Sequence, residues 1–462
     1  MELDLLGKEV LVIGLARSGM ASALLLLQDG ARVTINDKRS EAELTAEEQA
    51  FLAANPALRF VGGGHPANLV TEQTALIIKN PGVPLQLPPL QRAVKLSLPV
   101  ITEVEYAAWR LNAPLVGITG TNGKTTTTAL TGEMFRAAGR KTYVAGNIGL
   151  PLSAVVNQVK SDDVVVAELS SFQLEATLSL RPRLAAILNI TPDHLDHHGT
   201  WEAYREAKAK IFAHQRAEDA IVLNADDPEA YALRQRPHSR VYLFSRLGEV
   251  ERGAFVREGL IILRDGAEET VLCPTAQVAI PGSHNLENAL AAALLAWLGG
   301  VPVLVIAEAL AAFPGVEHRL EYVRTVDGVV YINDSKGTNV DASLKALAAF
   351  PQQKVLIAGG YEKGADFAPL ARALVGEVSH VVLLGQVAER LAAALREAGY
   401  ENYSFADSLA EAVQMAQAKA KAGEVVLLSP ACASWDMFRD YEERGDLFKE
   451  AVWQLRGQDD GR

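Results

Sequence analysis

The sequence predicts an α/β protein of three domains, in which parallel sheets are flanked by helices. Short apolar strands alternate with helical segments along the chain, and glycine-rich or polar loops follow several of these strands. The chain has 462 residues, which is more than one domain usually holds. We therefore expect Rossmann-like domains at residues 1–111 and 315–462, and a central ATPase-type domain with a phosphate-binding loop at residues 112–314.

The first domain begins with a strand at residues 10–13 and a turn at residues 14–19, followed by strands at residues 32–36 and 75–79. The turn has the spacing G-x-x-x-x-G and lacks the middle glycine of the dinucleotide-binding fingerprint. Asp37 follows the second strand, where an acid could bind a ribose. The turn could hold the phosphates of a nucleotide through its N–H groups, or it could be purely structural.

The central domain opens with a strand at residues 115–118, a glycine-rich turn, Lys124 and a helix that we expect from residue 129. In such loops the backbone N–H groups and the helix dipole attract phosphates. Lys124 would contact the β- and γ-phosphates, and the Thr125 hydroxyl would bind Mg²⁺. The spacing departs from the usual phosphate loop, because Ile118 stands at the position of its first glycine. The alternative is an ordinary glycine-rich turn.

Two polar segments follow later strands of the central domain. Glu168 comes after a strand at residues 164–167, at a position typical of an Mg²⁺ ligand. Residues 189–198, at the end of a strand predicted at residues 185–190, contain three histidines and two aspartates. Zinc is an alternative here. The absence of a nearby cysteine and of H-E-x-x-H spacing favours one histidine beside magnesium.

A helix predicted at residues 200–212 carries two lysines that bear on the same chemistry. Thr200 has the side chain of a helix N-cap. Lys208 and Lys210 are two positions apart, so their side chains leave the helix on different faces. Either lysine could be a solvated surface residue, and composition alone does not choose between them.

The third domain shows polar loops after apolar strands. Strands are predicted at residues 329–332, 355–357, 380–384 and 425–428. The loops after three of them supply hydroxyl groups or a lysine, and together Thr338, Lys363 and Ser434 could bind a small acid. Taken singly, each of these loops is equally consistent with a structural role.

Composition excludes several partners. The formal net charge of −12 argues against nucleic acid or an anionic membrane as a main partner. Two distant cysteines do not make a disulfide framework and fit a reducing cytosol, and we find no signal peptide. The uncharged run at residues 288–307 is long enough to suggest a membrane span. Residues 299–302, Gly-Gly-Val-Pro, interrupt it and predict two buried helices instead.

Five motifs follow one another at residues 119–125, 146–149, 284–285, 318–319 and 334–336. They resemble, in the same order, motifs of the Mur ligase family of ATP-dependent amide-forming enzymes. Four further segments resemble the family members that add D-glutamate, at residues 14–20, 168–175, 429–434 and 441–446. The resemblance extends over essentially the whole chain.

The resemblance implies that the three domains bind UDP, ATP and an amino acid, with UDP-N-acetylmuramoyl-L-alanine and D-glutamate as substrates. It implies peptidoglycan precursor synthesis in the cytoplasm, and we expect a monomer. The L-alanyl carboxylate would attack the γ-phosphate of ATP, and the amine of D-glutamate would then attack the resulting acyl phosphate.

The resemblance also implies roles for residues, taken position by position. Positions on the ATP side are Gly120, Thr121, Asn122, Gly123, Lys124, Thr125, Thr126, Asn288, Arg319, Asp334 and Lys336. Positions for Mg²⁺ are Thr125, Glu168, His194 and Lys208, and Lys208 would be carbamylated, which turns a cation into a carboxylate-like ligand. Positions near the reacting groups are Lys124, Asn147, His194 and Lys208. Positions for the two substrates are Leu15, Ala16, Arg17, Ser18, Asp37, Lys38, Asn80, Gly82, Ser170, Thr338, Lys363, Ser434 and Tyr441.

Two positions depart from the family pattern. Tyr441 stands where other members have phenylalanine, which leaves a backbone contact intact but could change a packing role. Pro192 stands where some members place an acid, so any role of that acid is absent here.

Three rival functions were weighed against this one: a folate-polyglutamylating ligase, a nicotinamide dehydrogenase and a non-enzymatic UDP-sugar-binding regulator. The motifs at residues 14–19 and 429–434 disfavour the first. The missing middle glycine and the central phosphate loop disfavour the second. An assay of phosphate release distinguishes the third, a binding protein, from an ATP-dependent ligase.

Overall fold

The computed structural model describes residues 4–361 and 364–458. The chain divides into two compact units, Met1–Gln277 with Glu287–Leu310, and Val278–Leu286 with Ala311–Arg462. The first unit contains two sheets and the second unit contains one. The predicted α/β class, with three sheet-based domains, is confirmed. The domain boundaries after residues 111 and 314 stay predictions.

The first sheet has five parallel strands in the order β3-β2-β1-β4-β5. Its strands are β1 (Glu9–Ile13), β2 (Arg32–Asn36), β3 (Arg59–Val61), β4 (Thr74–Lys79) and β5 (Val100–Thr102), and its helices are α1 (Arg17–Gln28), α2 (Ala46–Ala54), α3 (Pro88–Lys95) and α4 (Glu103–Arg110). The three strands predicted here are confirmed as β1, β2 and β4. The strand order reverses between β1 and β4, so the loops after these two strands meet at the edge where such sheets bind ligands.

The central sheet has nine strands in the order β14-β13-β12-β11-β10-β9-β6-β8-β7. The strands are β6 (Leu115–Thr119), β7 (Thr142–Gly146), β8 (Val164–Glu168), β9 (Leu184–Ile187), β10 (Ala220–Asn224), β11 (Arg240–Ser245), β12 (Arg252–Arg257), β13 (Leu260–Asp265) and β14 (Glu268–Pro274). The helices are α5 (Lys124–Ala137), α6 (Leu152–Val155), α7 (Ser171–Leu174), α8 (Leu195–His198), α9 (Trp201–Ala209), α10 (Pro228–Ala232), α11 (Ser283–Leu298) and α12 (Val303–Ala312). Strand β6, which leads into the phosphate loop, lies between β8 and β9.

The central sheet corrects two predictions and contains two hairpins for which there was no prediction. Helix α5 begins at Lys124 and not at residue 129, because Gly123 is its N-cap and the threonines form its first turns. Strand β9 ends at Ile187 and not at residue 190, because the chain turns there to contact the phosphate loop. The hairpins β12-β13 and β13-β14 were not predicted. Their signal was present, since Gly259 and Gly266 take the positive φ that tight hairpin turns need.

The sheet of the second unit has six strands in the order β15-β16-β20-β17-β18-β19. The strands are β15 (Glu321–Val326), β16 (Val329–Asn333), β17 (Lys354–Gly359), β18 (Val378–Leu384), β19 (Tyr403–Phe405) and β20 (Val425–Leu428), and the helices are α13 (Val340–Ala348), α14 (Ala368–Leu374), α15 (Ala388–Glu397), α16 (Leu409–Lys419) and α17 (Tyr441–Trp453). Only β15 runs antiparallel to its neighbour, and it was not predicted. Because β16, β20 and β17 are adjacent and parallel, the three polar loops that follow them meet at one edge.

The uncharged run at residues 288–307 forms parts of two helices, as predicted. Helix α11 ends at Leu298 and α12 begins at Val303, with the Gly-Gly-Val-Pro segment between them. Residues 289–296 of α11 are fully buried. Within residues 4–361 and 364–458, no helix combines the length and apolar character needed to cross a membrane.

Candidate active site

The phosphate-loop residues form a tight turn between β6 and α5. Gly123 has a φ of 84°, and a Cβ added to it would lie 2.2 Å from Asn288 Oδ1, so the position accepts only glycine. Asn189 holds the turn, because its Oδ1 accepts a hydrogen bond from Asn122 N at 2.8 Å and its Nδ2 donates to Asn122 O at 3.1 Å. The first N–H groups of α5 are thereby fixed in the arrangement that binds anions.

Two lysines converge on one carbonyl of this turn. Lys124 Nζ donates to Gly120 O at 2.9 Å and to Thr121 O at 2.8 Å. From α9, the buried Lys208 Nζ donates to the same Gly120 O at 2.8 Å. Burial and the positive charge of Lys124 hold the pKa of Lys208 well below its usual range, against the opposing charges of Asp193 and Glu168. This environment raises the fraction of Lys208 that is present as the neutral amine.

A carboxylate oxygen next to the turn is buried without a hydrogen bond. Glu168 ends β8, in register with Ile118 of β6, and its Oε1 accepts a hydrogen bond from Asn147 Nδ2 at 2.7 Å. Its Oε2 has no hydrogen-bond partner among the described residues. Thr125, in the first turn of α5, is buried as well. A cation can satisfy a buried oxygen that lacks a donor, and hard cations such as Mg²⁺ prefer oxygen ligands.

His194 lies at the N-cap of α8, with an exposed side chain. Its φ is 52°, a left-handed conformation that is uncommon away from glycine and that clusters at functional sites. Its Nε2 lies 3.5 Å from the Asp193 carboxylate, and its ring packs edge-on against Phe172 at 4.8 Å.

Ser170 and Lys210 both make contacts inside the protein. The Ser170 hydroxyl caps α7 by accepting a hydrogen bond from Gln173 N at 3.2 Å. Lys210 follows α9 and is half-buried, and its Nζ donates to the backbone oxygen of Glu175. Neither Lys208 nor Lys210 is therefore a solvated surface lysine. The two side chains contact different parts of the protein, which agrees with the prediction that they leave the helix on different faces.

In the first sheet, the turn after β1 packs closely against Asn80, which follows β4. A Cβ on Gly14 would lie 2.6 Å from Asn80 Nδ2, and a Cβ on Gly19 would lie 2.0 Å from Gly14 O. These close approaches require both glycines of the G-x-x-x-x-G spacing. Asn80 N donates to Ile13 O at 2.9 Å, and Asn80 Oδ1 is buried and lacks a partner in the described part of the chain. The turn therefore adjoins a buried acceptor that the described residues leave unused.

Asp37 anchors this turn from within the protein. Its Oδ2 accepts a hydrogen bond from Leu15 N at 2.8 Å, and its Oδ1 accepts hydrogen bonds from the Nε and backbone N of Arg39, both at 3.0 Å. Arg39 also pairs with Glu48 at 2.8 Å. Burial raises the pKa of Asp37, but the hydrogen bonds from Arg39 and Leu15 outweigh it and lower the pKa to about 2. Both carboxylate oxygens of Asp37 are engaged by the protein itself.

The remaining predicted substrate positions of the first sheet differ in exposure. Leu15 is fully buried, so only its backbone could contact a ligand. Ser18 is half-buried, and the exposed positions are Ala16, Arg17, Lys38 and Gly82.

In the second unit, Arg444 of α17 joins the loops after β16 and β20. Its guanidinium donates to Ser335 Oγ at 2.9 Å, Ser335 O at 2.8 Å, Cys432 O at 3.1 Å and Ala433 O at 3.3 Å. Burial lowers the pKa of Arg444 to about 10. The loop after β17 packs closely against the loop after β20, because a Cβ on Gly360 would lie 2.3 Å from Ala433 O. Arg444 therefore sets the relative positions of loops that carry predicted ligand contacts.

Asp334 and Arg319, both predicted for the ATP side, interact electrostatically in the second unit. Asp334 is buried, and its Oδ2 accepts a hydrogen bond from Ser429 Oγ at 2.7 Å. Burial raises the pKa of Asp334 to about 6, and the positive charge of Arg319 opposes this rise. Arg319 lies between His318 and Leu320, whose φ angles of 62° and 46° are both in the left-handed region. Such backbone strain is typical of functional segments.

Tyr441, the residue that departs from the family pattern, makes contacts through both its backbone and its ring. Its carbonyl accepts a hydrogen bond at 2.8 Å from the loop after β16, a contact that any residue would make. Its ring lies 5.1 Å from Lys336 Nζ, as a phenylalanine ring could. Ser434 is buried and Thr338 is half-buried, while Lys363 lies outside the described residues.

Sequence patterns do not single out three residues that hold these sites together, Asn189, Arg39 and Arg444. Each lies within or beside a segment that the sequence marks. Asn189 opens the histidine-rich segment, Arg39 comes two residues after Asp37, and Arg444 lies in the segment at residues 441–446. Their partners are distant in sequence, so only the fold identifies their roles.

Comparison with protein-family models finds matches in the regions of all three sheets. Residues 8–102 match the Mur ligase MurD-like N-terminal domain, residues 118–296 the Mur ligase middle domain, and residues 318–432 the Mur ligase glutamate ligase domain. The UDP-N-acetylmuramoylalanine–D-glutamate ligase of Pelotomaculum thermopropionicum is 48% identical over 98% of this chain and 99% of its own. The enzyme of the same name from Thermoanaerobacter sp. is 45% identical over 98% of this chain and 100% of its own.

Two solved structures share the fold. The UDP-N-acetylmuramate-alanine ligase MurC of Thermotoga maritima has a TM-score of 0.59 at 22% identity, covering 97% of this chain and 100% of its own. MurF ligase of Thermotoga maritima, in complex with ADP, has a TM-score of 0.58 at 18% identity, covering 98% and 96%.

Proposed function

Because this chain belongs to the Mur ligase family, we propose that it joins D-glutamate to UDP-N-acetylmuramoyl-L-alanine at the expense of ATP, in peptidoglycan precursor synthesis. The observation that carries the proposal is that relatives with 48% and 45% identity along 98% of the chain are named UDP-N-acetylmuramoylalanine–D-glutamate ligase. A cytoplasmic monomer, which the resemblance implies, belongs to the same proposal.

The reaction proceeds in two steps. The L-alanyl carboxylate attacks the γ-phosphorus of ATP, which forms an acyl phosphate and releases ADP. The amine of D-glutamate then attacks the acyl carbon, loses a proton, and expels phosphate as the amide bond forms. The protein's part is to position the reactants and to stabilise the negative charge that develops on the transferred phosphoryl group.

The turn before α5 is our candidate for holding the phosphates of ATP. The N–H groups from Gly120 to Thr126 would surround them, with Lys124 as a mobile positive charge that leaves its carbonyl partners for the γ-phosphate. The unpartnered oxygen of Glu168, together with Thr125, His194 and Lys208, would hold Mg²⁺. Bound magnesium would neutralise charge on the phosphoryl oxygens.

We propose that Lys208 is carbamylated in the active enzyme. Its neutral amine would attack CO₂, form an N–C bond and release a proton to solvent, which leaves an anionic carbamate. The suppressed pKa of Lys208 supports this step, because only the neutral amine is nucleophilic. The proximity of Lys124 supports it as well, since an anion beside that ammonium is more favourable than a second cation.

The turn after β1, together with Asn80, is our candidate for binding the UDP group. Its support is the buried acceptor Asn80 Oδ1 and the close-packed glycines. The loops after β16, β17 and β20 in the second unit are our candidates for D-glutamate, with Thr338, Lys363 and Ser434 as contacts. Domains at residues 1–111, 112–314 and 315–462 are part of this proposal.

The test is an assay of phosphate release with ATP, MgCl₂, UDP-N-acetylmuramoyl-L-alanine and a panel of D- and L-amino acids. We expect release only when the UDP substrate and D-glutamate are both present, with the amide product identified by mass spectrometry. Higher turnover with L-glutamate or a diamino acid would assign the chain to another ligase. Binding of the UDP substrate without phosphate release under any condition would indicate a regulatory protein.

A further inference from the structure

A cluster of two imidazoles and one carboxylate lies where α7 and α8 pack together. Glu175 follows α7, and His197 and His198 end α8, with one donor atom of each within 4.8 Å of the other two. His197 Nε2 and His198 Nδ1 lie 2.9 Å and 3.6 Å from Glu175 Oε2. These separations bracket the spacing of about 3.3 Å that follows from tetrahedral metal–ligand distances of about 2.0–2.1 Å.

Neighbouring side chains orient two of these groups. Ser171 Oγ lies 3.0 Å from His198 Nε2, so the other nitrogen of that ring, Nδ1, is directed toward Glu175. Lys79 Nζ donates to Glu175 Oε1 at 2.6 Å, and Oε2 is the carboxylate oxygen nearer to His197 Nε2, at 2.9 Å against 3.1 Å for Oε1. Outer contacts of this kind, to the second nitrogen of a histidine and to the second oxygen of a carboxylate, are the usual support of metal ligands.

An aromatic ring and a cavity both border the cluster. The Phe172 ring packs against both imidazoles, with ring centroids 4.4 Å from His197 and 5.4 Å from His198. A cavity of about 280 Å³ is lined by Glu175, His197 and His198. It leaves room for water as a fourth ligand.

We propose that Glu175, His197 and His198 form a binding site for a divalent ion of the zinc class. Two imidazoles and one carboxylate suit Zn²⁺ and Co²⁺, whereas Mg²⁺ prefers an all-oxygen environment. The cluster offers a single carboxylate, and a lysine already pairs with it, so the affinity must come from the imidazoles. The ligands differ from those first considered for zinc in the histidine-rich segment, because Glu175 replaces its aspartates. This site is independent of the proposed ligase activity.

The test uses the full chain, freed of metal by chelation, with ZnCl₂ added in an excess of MgCl₂. We expect one tightly bound zinc per chain by equilibrium dialysis, and visible absorption bands of four-coordinate cobalt when CoCl₂ replaces zinc. His198→Ala should weaken zinc binding by at least ~10-fold. The milder variants His197→Gln, which removes one ligand, and Ser171→Ala, which removes one outer contact, should have an effect of the same size. Circular dichroism identifies any variant that does not fold.

Two controls separate this site from others. His238→Ala removes an exposed histidine outside the cluster and should bind zinc like the wild type. Glu168→Gln alters the proposed magnesium site and should also keep zinc. Zinc that is lost in Glu168→Gln but kept in folded His197→Gln would place the ion at the magnesium site and overturn the proposal. Absence of tight zinc binding in the wild type would overturn it too.

Discussion

Replacing Arg444 by methionine tests whether one buried cation holds the loops of the second unit together. The guanidinium donates hydrogen bonds to the backbone oxygens of Ser335, Cys432 and Ala433. These residues belong to the loops after β16 and β20. Methionine has a comparable apolar stem and no donor, so Arg444→Met leaves the three buried carbonyls without this partner.

The magnitude follows from two of these acceptors, because Ala433 O keeps a hydrogen bond from Tyr361 N at 2.8 Å. A buried polar group that loses its partner costs about 1–3 kcal/mol, and the middle of this range gives about 4 kcal/mol for the carbonyls of Ser335 and Cys432. Removing a buried cation offsets part of this loss, because its desolvation penalty disappears. We therefore expect the free energy of unfolding of the second unit to fall by about 2–3 kcal/mol.

Amide hydrogen exchange of β16 and β20 measures this loss within the second unit alone. A loss of about 2–3 kcal/mol corresponds to exchange that is roughly 30–150-fold faster, since about 1.4 kcal/mol is tenfold in an equilibrium constant. Arg439→Met is the matched control, because that side chain is 81% exposed and its removal should cost less than about 0.5 kcal/mol. Equal exchange rates in the two variants would refute the reasoning.

The remaining predictions concern charges in the first unit. Lys124→Ala should lower turnover by ~10²–10³-fold at saturating ATP, and wild-type turnover would make the turn structural only. Lys208→Ala should lose most activity and regain part of it when short carboxylic acids are added. The control variant Lys160→Ala, at an exposed position, should match the wild type. Full activity of Lys208→Ala without added acid would exclude a ligand role. Asp37 has a pKa lowered from 3.8 to about 2, so its stabilising contribution is complete above pH 3.8 and is lost as the pH falls through 2. Urea unfolding of Asp37→Asn should therefore show a deficit against the wild type at neutral pH that vanishes near pH 2, and a deficit that stays constant would contradict this assignment.

Local sequence patterns were enough to predict the class of fold and much of the candidate site. The apolar runs that became β1, β6, β8, β16, β17 and β20 are buried in parallel sheets, where both faces of a strand are covered and the apolar character is continuous. The glycines at positions 14, 19 and 123 could be read as turn residues, because glycine is tolerated where a backbone approaches closely or takes positive φ. The strands that were not predicted, β3, β5, β7, β11 to β15 and β19, lie at or toward the edges of their sheets, where burial is less complete and the apolar pattern is weaker.

Tertiary structure alone decided which of the candidate residues meet. Lys124 and Lys208 are 84 positions apart, yet both donate to Gly120 O, and this proximity contributes to the suppressed pKa of Lys208. Glu175 reaches His197 and His198 only because α7 and α8 pack together around Phe172. A sequence determines the chemistry and local conformation of each segment. Distances between segments depend on how all the buried surfaces pack together. Those distances determine the pKa of Lys208 and bring Glu175, His197 and His198 into one cluster.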